Sequence, residues 1–287
     1  MKRLSDYTVA ATERCERVLV TVLGNVGPWR ECIYLAGGLA PRYIVGELPE
    51  GASPHIGTTD IDLVISLSVD GDEIATYETL ERNLKNADFE QDSRMSFRWK
   101  RKVDGVSVLV EFLCETDRVE EGRIFRPGHR LGTKLSAFNV SGAHLAARDY
   151  IEVDVENERL DDGGLSKVSV RVANLLPYVV LKINAFQDRH ENKDAYDLIF
   201  CLRNFRDEPE TTGRELAASP VANDPQVVEA LALLEERFVA IENDGPAAYA
   251  AFLVGEESEL GAEDERNVLR REAIAVVRRV LAGFRGL

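Results

Sequence analysis

The sequence predicts an α+β protein: a mixed sheet flanked by helices over residues 1–172, followed by a helical bundle over 173–287. Three observations lead there. Short apolar runs with period-two alternation, bounded by Gly, Pro and Asp, recur up to about residue 173, as half-buried strands require. From about Pro177 the apolar spacing changes to a helical pattern and keeps it to the end. Loops rich in Gly, Pro, Asp and Glu separate those later segments, and no repeat runs through either half.

The elements follow in order. Residues 5–24 read as an amphipathic helix, with Val9, Val18, Leu19 and Leu23 among its apolar positions. CIYLAGG (32–38) is a short strand ending in Gly37 and Gly38, and LAPRYIVGEL is a short helix with Pro41 tolerated in its first turn. PEGASPHIG is a loop, and TDIDLVISL is a strand. Residues 73–86 are helical, and 88–102 and 106–114 are strands around Asp104-Gly105. The region 115–148 carries no clear period, whereas DYIEVDVEN and SKVSVRVA alternate as strands around the turn DDGG. Helices are predicted over 177–190, 193–204, 225–242, 246–254 and 263–284.

Composition excludes some classes. The 287 residues are 45% hydrophobic and 30% charged, ordinary for a globular protein with a real core. No apolar run is long enough to span a bilayer, and the N-terminus lacks a signal-peptide pattern, so no membrane role is expected. Cys15, Cys32, Cys114 and Cys201 lie far apart without a CxxC pair, which suits a reduced cytoplasm better than a disulfide or zinc framework. The net charge of −15 repels nucleic acid at long range. Its distribution is uneven. Arg94, Arg98, Lys100, Arg101 and Lys102 cluster beside Phe97 and Trp99, and Arg118, Arg123, Arg126, Arg130 and Lys134 form a second group. Either cluster also fits a solvated surface.

The residues that carry chemistry begin with GTTDIDLVIS (57–66). Side chains two apart on a strand share a face, so Asp60 and Asp62 stand side by side with Ile61, Leu63 and Ile65 opposite. Two adjacent carboxylates repel unless they are solvated, protonated or bridged by a cation, and magnesium commonly takes one or two carboxylates plus substrate phosphates. Glu111 is the only charge in the strand VSVLVEFL, where an unpaired carboxylate is costly. Gly37 and Gly38 allow a tight turn and close approach to a ligand, and a helix starting there offers N–H groups to phosphate. In LKINAFQDRHENKDAYDLIF (181–200), Lys182 and Arg189 lie on nearly one helix face, with Lys193 beyond and Asp194 and Asp197 at i and i+3. Cations so grouped suit a triphosphate, and Asp194 and Asp197 could hold those cations or the nucleotide sugar in place. Taken singly, each feature also fits a plain structural role: a turn, solvated acids, an edge-strand residue, a surface helix with ion pairs.

Together they come in one order, and that order resembles the nucleotidyltransferase superfamily of DNA polymerase β type. More narrowly, the chain is similar to the AbiEii/AbiGii toxin family, which includes the MenT-type toxins. The residues that carry the resemblance are GG (37–38), TTDIDL (58–63), VEF (110–112) and LKINAFQDRHENKDAYDL (181–198); they cover roughly 31–200 in motif order. The chain departs from the pattern in a longer interval between Gly38 and Asp60. His55, Ile56 and Gly57 also stand where the family often carries an Arg, a role Arg42 could fill.

The resemblance implies a nucleotidyltransferase fold in the N-terminal half and magnesium-dependent transfer of a nucleoside monophosphate from an NTP. Asp60, Asp62 and Glu111 would hold one or two Mg2+ ions. Asp60, Asp62, Glu111, Lys182 and Asp197 would be the catalytic set. Gly37, Gly38, Thr58, Lys182, Arg189, Lys193 and Asp194 would bind nucleotide. It also implies an acceptor that is the 3′ end of tRNA or a protein, and a toxin paired with a cognate antitoxin. Phe97 and Trp99 within the basic cluster would suit stacking on RNA. Two alternatives stay open: a small-molecule nucleotidyltransferase of the aminoglycoside-adenylyltransferase kind, whose cationic acceptor the acidic chain would favour, and a catalytically silent nucleotide-binding module.

Overall fold

In the computed structural model, which describes residues 7–66, 73–126, 135–255 and 262–287, the chain is α+β. The order begins α1 (Val9–Asn25), β1 (Ile33–Ala36), α2 (Pro41–Ile44), β2 (Asp60–Ile65) and α3 (Glu73–Asn86). It continues through β3 (Glu90–Gln91), β4 (Arg98–Val103), β5 (Val106–Cys114), β6 (Ile124–Phe125), β7 (Ala137–Asn139), β8 (Tyr150–Glu158) and β9 (Leu165–Ala173). Helices complete it: α4 (Leu175–Arg189), α5 (Asn192–Asn204), α6 (Pro209–Ala217), α7 (Pro225–Arg237), α8 (Asp244–Val254) and α9 (Ala262–Arg285). Residues 5 and 6 of the first predicted helix, and Arg130 and Lys134 of the second basic group, lie outside the described residues. Among the described residues no helix is long and apolar enough to cross a membrane.

Two compact units divide the chain: Thr8–Ala40 with Gly57–Ala173, and Met1–Tyr7, Pro41–Ile56 and Asn174–Leu287. The segment 41–56, which sequence places in an N-terminal domain of residues 1–172, thus belongs with the helices. The reason is visible in its bonds. The hydroxyl oxygen of Tyr196 on α5 accepts from Ile56 N at 3.2 Å, and the His55 ring bonds Asp197 on the same helix.

The sheet unit is built on a mixed sheet of order β3-β4-β5-β2-β1-β9-β8, with β7 beside β5 and β6 beside β7. β2 runs parallel to β5, and β1 parallel to β9; β1 and β2 are antiparallel. Period-two alternation sets the faces. Ile61 and Leu63 of β2, Val108, Val110 and Phe112 of β5, and Trp99 of β4 are buried. Each such side chain contributes about 1.5–3 kcal/mol on leaving water. Helix α1 packs across β2, β4, β5, β8 and β9 and buries Cys15, Val18, Leu19 and Val22. It starts where Thr8 caps it, the hydroxyl oxygen accepting from Ala11 N at 3.1 Å. Val9, expected on the apolar face, is 74% exposed in the first turn, before the helix reaches the sheet. The predicted strand 88–102 is instead two strands, because Asp92 Oδ1 accepts from Arg94 N and Met95 N and turns the chain between them.

In the helical unit, α6 was not legible in the sequence. Its residues PETTGRELA form helices poorly, and packing against α9 supplies the stability they lack. The two helices meet backbone to backbone at a glycine on each. A Cβ on Gly213 would lie 2.0 Å from Val280 O, and one on Gly283 would lie 2.2 Å from Glu210 O. Gly283→Ala is therefore expected to destabilise the protein by about 1–3 kcal/mol despite its better helix propensity. Urea denaturation checks this, and an unchanged or raised midpoint would show that the crossing is not tight.

Candidate active site

Strand β2 presents Asp60 and Asp62 as half-buried positions alternating with buried Ile61 and Leu63. The parallel register sets Asp62 opposite Glu111 and Asp60 opposite Leu109. On the far side of β5, Arg98 of β4 pairs with Glu111, and Lys100 with Leu109; on the other side of β2, Ala36 pairs with Asp62. Residues directly opposite one another point to the same face. One sheet face therefore carries the row Arg98–Glu111–Asp62–Ala36 and, beside it, the row Lys100–Leu109–Asp60. Three of the sequence-predicted acids share that face.

The glycine turn closes on the same point. Gly37 adopts φ +64°, and a Cβ there would lie 1.7 Å from Asp62 Oδ2. Only a residue without a side chain lets the backbone rest on that carboxylate. Gly38 is buried inside the 3₁₀ turn Gly37–Leu39. The helix expected after it, α2, has only four residues. The dipole of a long helix is thus absent, and the turn itself is the feature that faces Asp62. Thr58, expected to touch nucleotide, is 1% exposed. Its hydroxyl donates to Asp60 Oδ1 at 2.8 Å, and its backbone N donates to Thr12 Oγ1 at 3.3 Å. It orients Asp60 from behind.

Among the described residues no three His, Cys, Asp or Glu side chains form a complete metal-ligand group. Glu111 shares its face with the two aspartates and also has a cation beside it: Arg98 Nε lies 2.6 Å from Glu111 Oε1. Asp60 and Asp62 still fit magnesium, which commonly takes one or two protein carboxylates. Sequence treated Arg98 as part of a basic patch; only the β4–β5 register shows it beside an acid.

The lysine-helix motif builds a second cluster, within the helical unit. Lys182 Nζ donates to Asp194 Oδ1 at 2.9 Å and to Asp197 Oδ2 at 2.7 Å. Arg189 grips Asp194 with two bonds of 2.7 Å, and Lys193 Nζ donates to both oxygens of Asp197 at 2.8 and 2.9 Å. His55 Nε2 is 2.8 Å from Asp197 Oδ1. A carboxylate only accepts, so this ring nitrogen carries the proton. Burial opposes the Lys182 charge, but Asp194 and Asp197 outweigh it and raise the pKa above the ordinary lysine value. Burial likewise opposes ionisation of Asp197 and is overcome by Lys182, then Lys193 and the His55 bond, so its carboxyl stays well below the usual range. For Asp194, burial is overcome by Lys182 and Arg189, again lowering the pKa. Burial wins at His55 and Lys193 and lowers both. Lys182, Lys193, Asp194 and Asp197 were expected to meet the triphosphate or the reaction; the structure places them in a buried salt-bridge network that joins α4, α5 and the segment 41–56. Lys182 is 6% exposed with two aspartates holding it. Arg189 alone retains a largely exposed side chain, at 57%.

The aromatic residues proposed for base stacking are also unavailable. Trp99 is fully buried, and Phe97 is buried with its ring stacked on Phe138 at 5.1 Å. Strand alternation explains this: Trp99 points to the helix-covered face, and Arg98 and Lys100 to the acid face. No protein-family model matches this chain, and no curated protein matches it.

Proposed function

We propose that the sheet unit is the catalytic core of a magnesium-dependent nucleotidyltransferase. The observation that carries this reading is the single sheet face on which Asp60, Asp62 and Glu111 stand together while the Gly37 turn closes on Asp62. Asp60 and Asp62 would hold the metal–nucleotide complex. Thr58 keeps Asp60 in one rotamer, and the Gly37–Gly38 backbone limits where a phosphate can rest. Bound magnesium would neutralise phosphate charge and make the attacking hydroxyl more acidic. The protein's own contribution is then positioning and preorganised charge.

The acceptor is proposed as the 3′ end of tRNA or a protein side chain, with a toxin–antitoxin pair as the setting and the cytoplasm as the place. Burial of Phe97 and Trp99 removes the stacking surface that favoured RNA. That observation, with the net charge of −15, gives weight to a second reading in which a cationic small molecule accepts the nucleotide. Incubating the protein with magnesium and each α-labelled NTP, with and without total tRNA, separates these. Label in RNA, in the polypeptide or in an added aminoglycoside assigns the acceptor. No transfer to any of them, with saturable NTP binding retained, would support a silent nucleotide-binding module instead.

A further inference from the structure

The helical unit holds a cavity of about 260 Å³ between the end of α4, the start of α5 and one face of α8. An apolar cavity of about 150 Å³ already holds one benzene ring, so this one has room for a ring with a short side chain. Its apolar wall is the buried ring of Phe186 together with Ala247, Ala248 and Ala251. Those alanines are spaced to share one face of α8, and their small side chains keep the space open.

The polar wall, formed by His190, Asn192 and Asp244, is rich in acceptors. His190 Nδ1 lies 3.4 Å from Asp244 Oδ2. A carboxylate only accepts, so that nitrogen carries the ring proton and Nε2 of the neutral ring accepts. Arg237 Nη1 meets Asp244 at the same oxygen, at 3.2 Å, while its Nη2 is taken by Gln187. These contacts fall on Oδ2 and leave Oδ1 to a ligand. His190 keeps its place at a cost. It ends α4 with φ +48°, a conformation usually given to glycine there. Its ring meets Phe186 edge-on, with centroids 5.7 Å apart, so the imidazole is fixed between the apolar wall and the carboxylate.

We propose that this cavity is a binding site for a small organic amine, its apolar body against Phe186 and the three alanines and its ammonium group donating to Asp244 and to His190 Nε2. Arg237 offsets part of the Asp244 charge, so donated hydrogen bonds recognise the ammonium as well as charge does. The chain's net charge of −15 favours cations at its surface. Every lining residue belongs to the helical unit, so the site goes beyond the nucleotidyltransferase reading and stands or falls without it.

The test is a heteronuclear NMR titration of the 15N-labelled full chain with benzylamine, benzyl alcohol and benzoate, for wild type, D244N, A251L and A247L, with urea denaturation of each variant as the check on folding. Benzylamine should bind with a Kd of about 1 mM, the affinity open to so few atoms. Benzyl alcohol should bind about tenfold more weakly, and benzoate should not saturate. D244N should weaken benzylamine about tenfold and leave benzyl alcohol unchanged. A251L and A247L put larger side chains into the space from half-buried positions, and each should abolish binding of both. Two such variants keep the test open if one misfolds. No saturable benzylamine binding by wild type, equal binding of benzoate, or benzylamine binding that D244N leaves at wild-type strength would overturn the proposal. So would benzylamine binding that survives cavity filling in a folded variant, which would mark a general attraction of cations to the acidic surface.

Discussion

Asp62→Asn is expected to remove nucleotidyl transfer, by more than about a hundredfold, while leaving the fold intact. The magnitude follows from comparison: partners that only orient a metal ligand are worth about 10–100-fold, so losing a ligand itself costs more. The fold should survive because Asn has the shape of Asp and fits the same space against Gly37. Asp62 stands opposite Glu111 in the strand register, so neutralising it removes one of two like charges in that row. The measurement pairs label transfer from α-labelled NTP with thermal denaturation. Lost transfer at an unchanged midpoint is the expected result. Full transfer by a folded Asp62→Asn protein would defeat the metal assignment and with it the proposed reaction.

How much of this was legible in the sequence depends on the range of the interaction that decides each feature. The Asp60/Asp62 pairing on one face was readable because strand alternation is local, and so was the change of period near residue 173. The neighbour of Glu111 was not. Arg98 lies thirteen positions away, counted as 111 minus 98, and only the register of the β4–β5 hairpin makes it a partner. The same alternation that reveals Asp60 and Asp62 also places Trp99 opposite Arg98 and Lys100. A period-two count through RWKRKV could have shown that this aromatic residue is buried. α6 was missed because close backbone approach at Gly213, against Val280, and at Gly283, against Glu210, overrides the propensity of PETTGRELA. The Lys182 motif was found, and spacing already offered Asp194 and Asp197 as holders of its cations. It could not show that His55, from a distant loop, would join them or that the cluster would be buried.

Asp197→Asn is expected to destabilise the protein by about 3–5 kcal/mol, the usual effect of removing one partner from a buried ion network. The carboxylate is fully buried and takes Lys182, Lys193 and His55 at once. Its loss takes away one of the two carboxylates that hold Lys182 and the one that holds Lys193. Burial already lowers the pKa of Lys193 against the pull of Asp197, so the variant should lower it further. Stability measured against pH carries the same signature. A carboxyl whose folded pKa is depressed stabilises above its unfolded value, about 4, and that contribution is lost as pH falls below it. Because Asp194 and Asp197 are both depressed, wild type should lose stability steeply below about pH 4. His55 acts in the same direction at higher pH. Its folded pKa is lowered, so the unfolded chain binds the extra proton first, and stability should begin to fall as pH drops through about 6.5. Asp197→Asn should flatten the acid limb of that curve. It should also lower transfer only in proportion to the fraction unfolded, whereas a group that contacts the triphosphate would cut transfer in fully folded protein. Urea denaturation from pH 3 to 8, with transfer measured well below the thermal midpoint, tests both. A stable Asp197→Asn protein that is inactive would return this residue to the catalytic set and show that the buried network opens to meet its substrate.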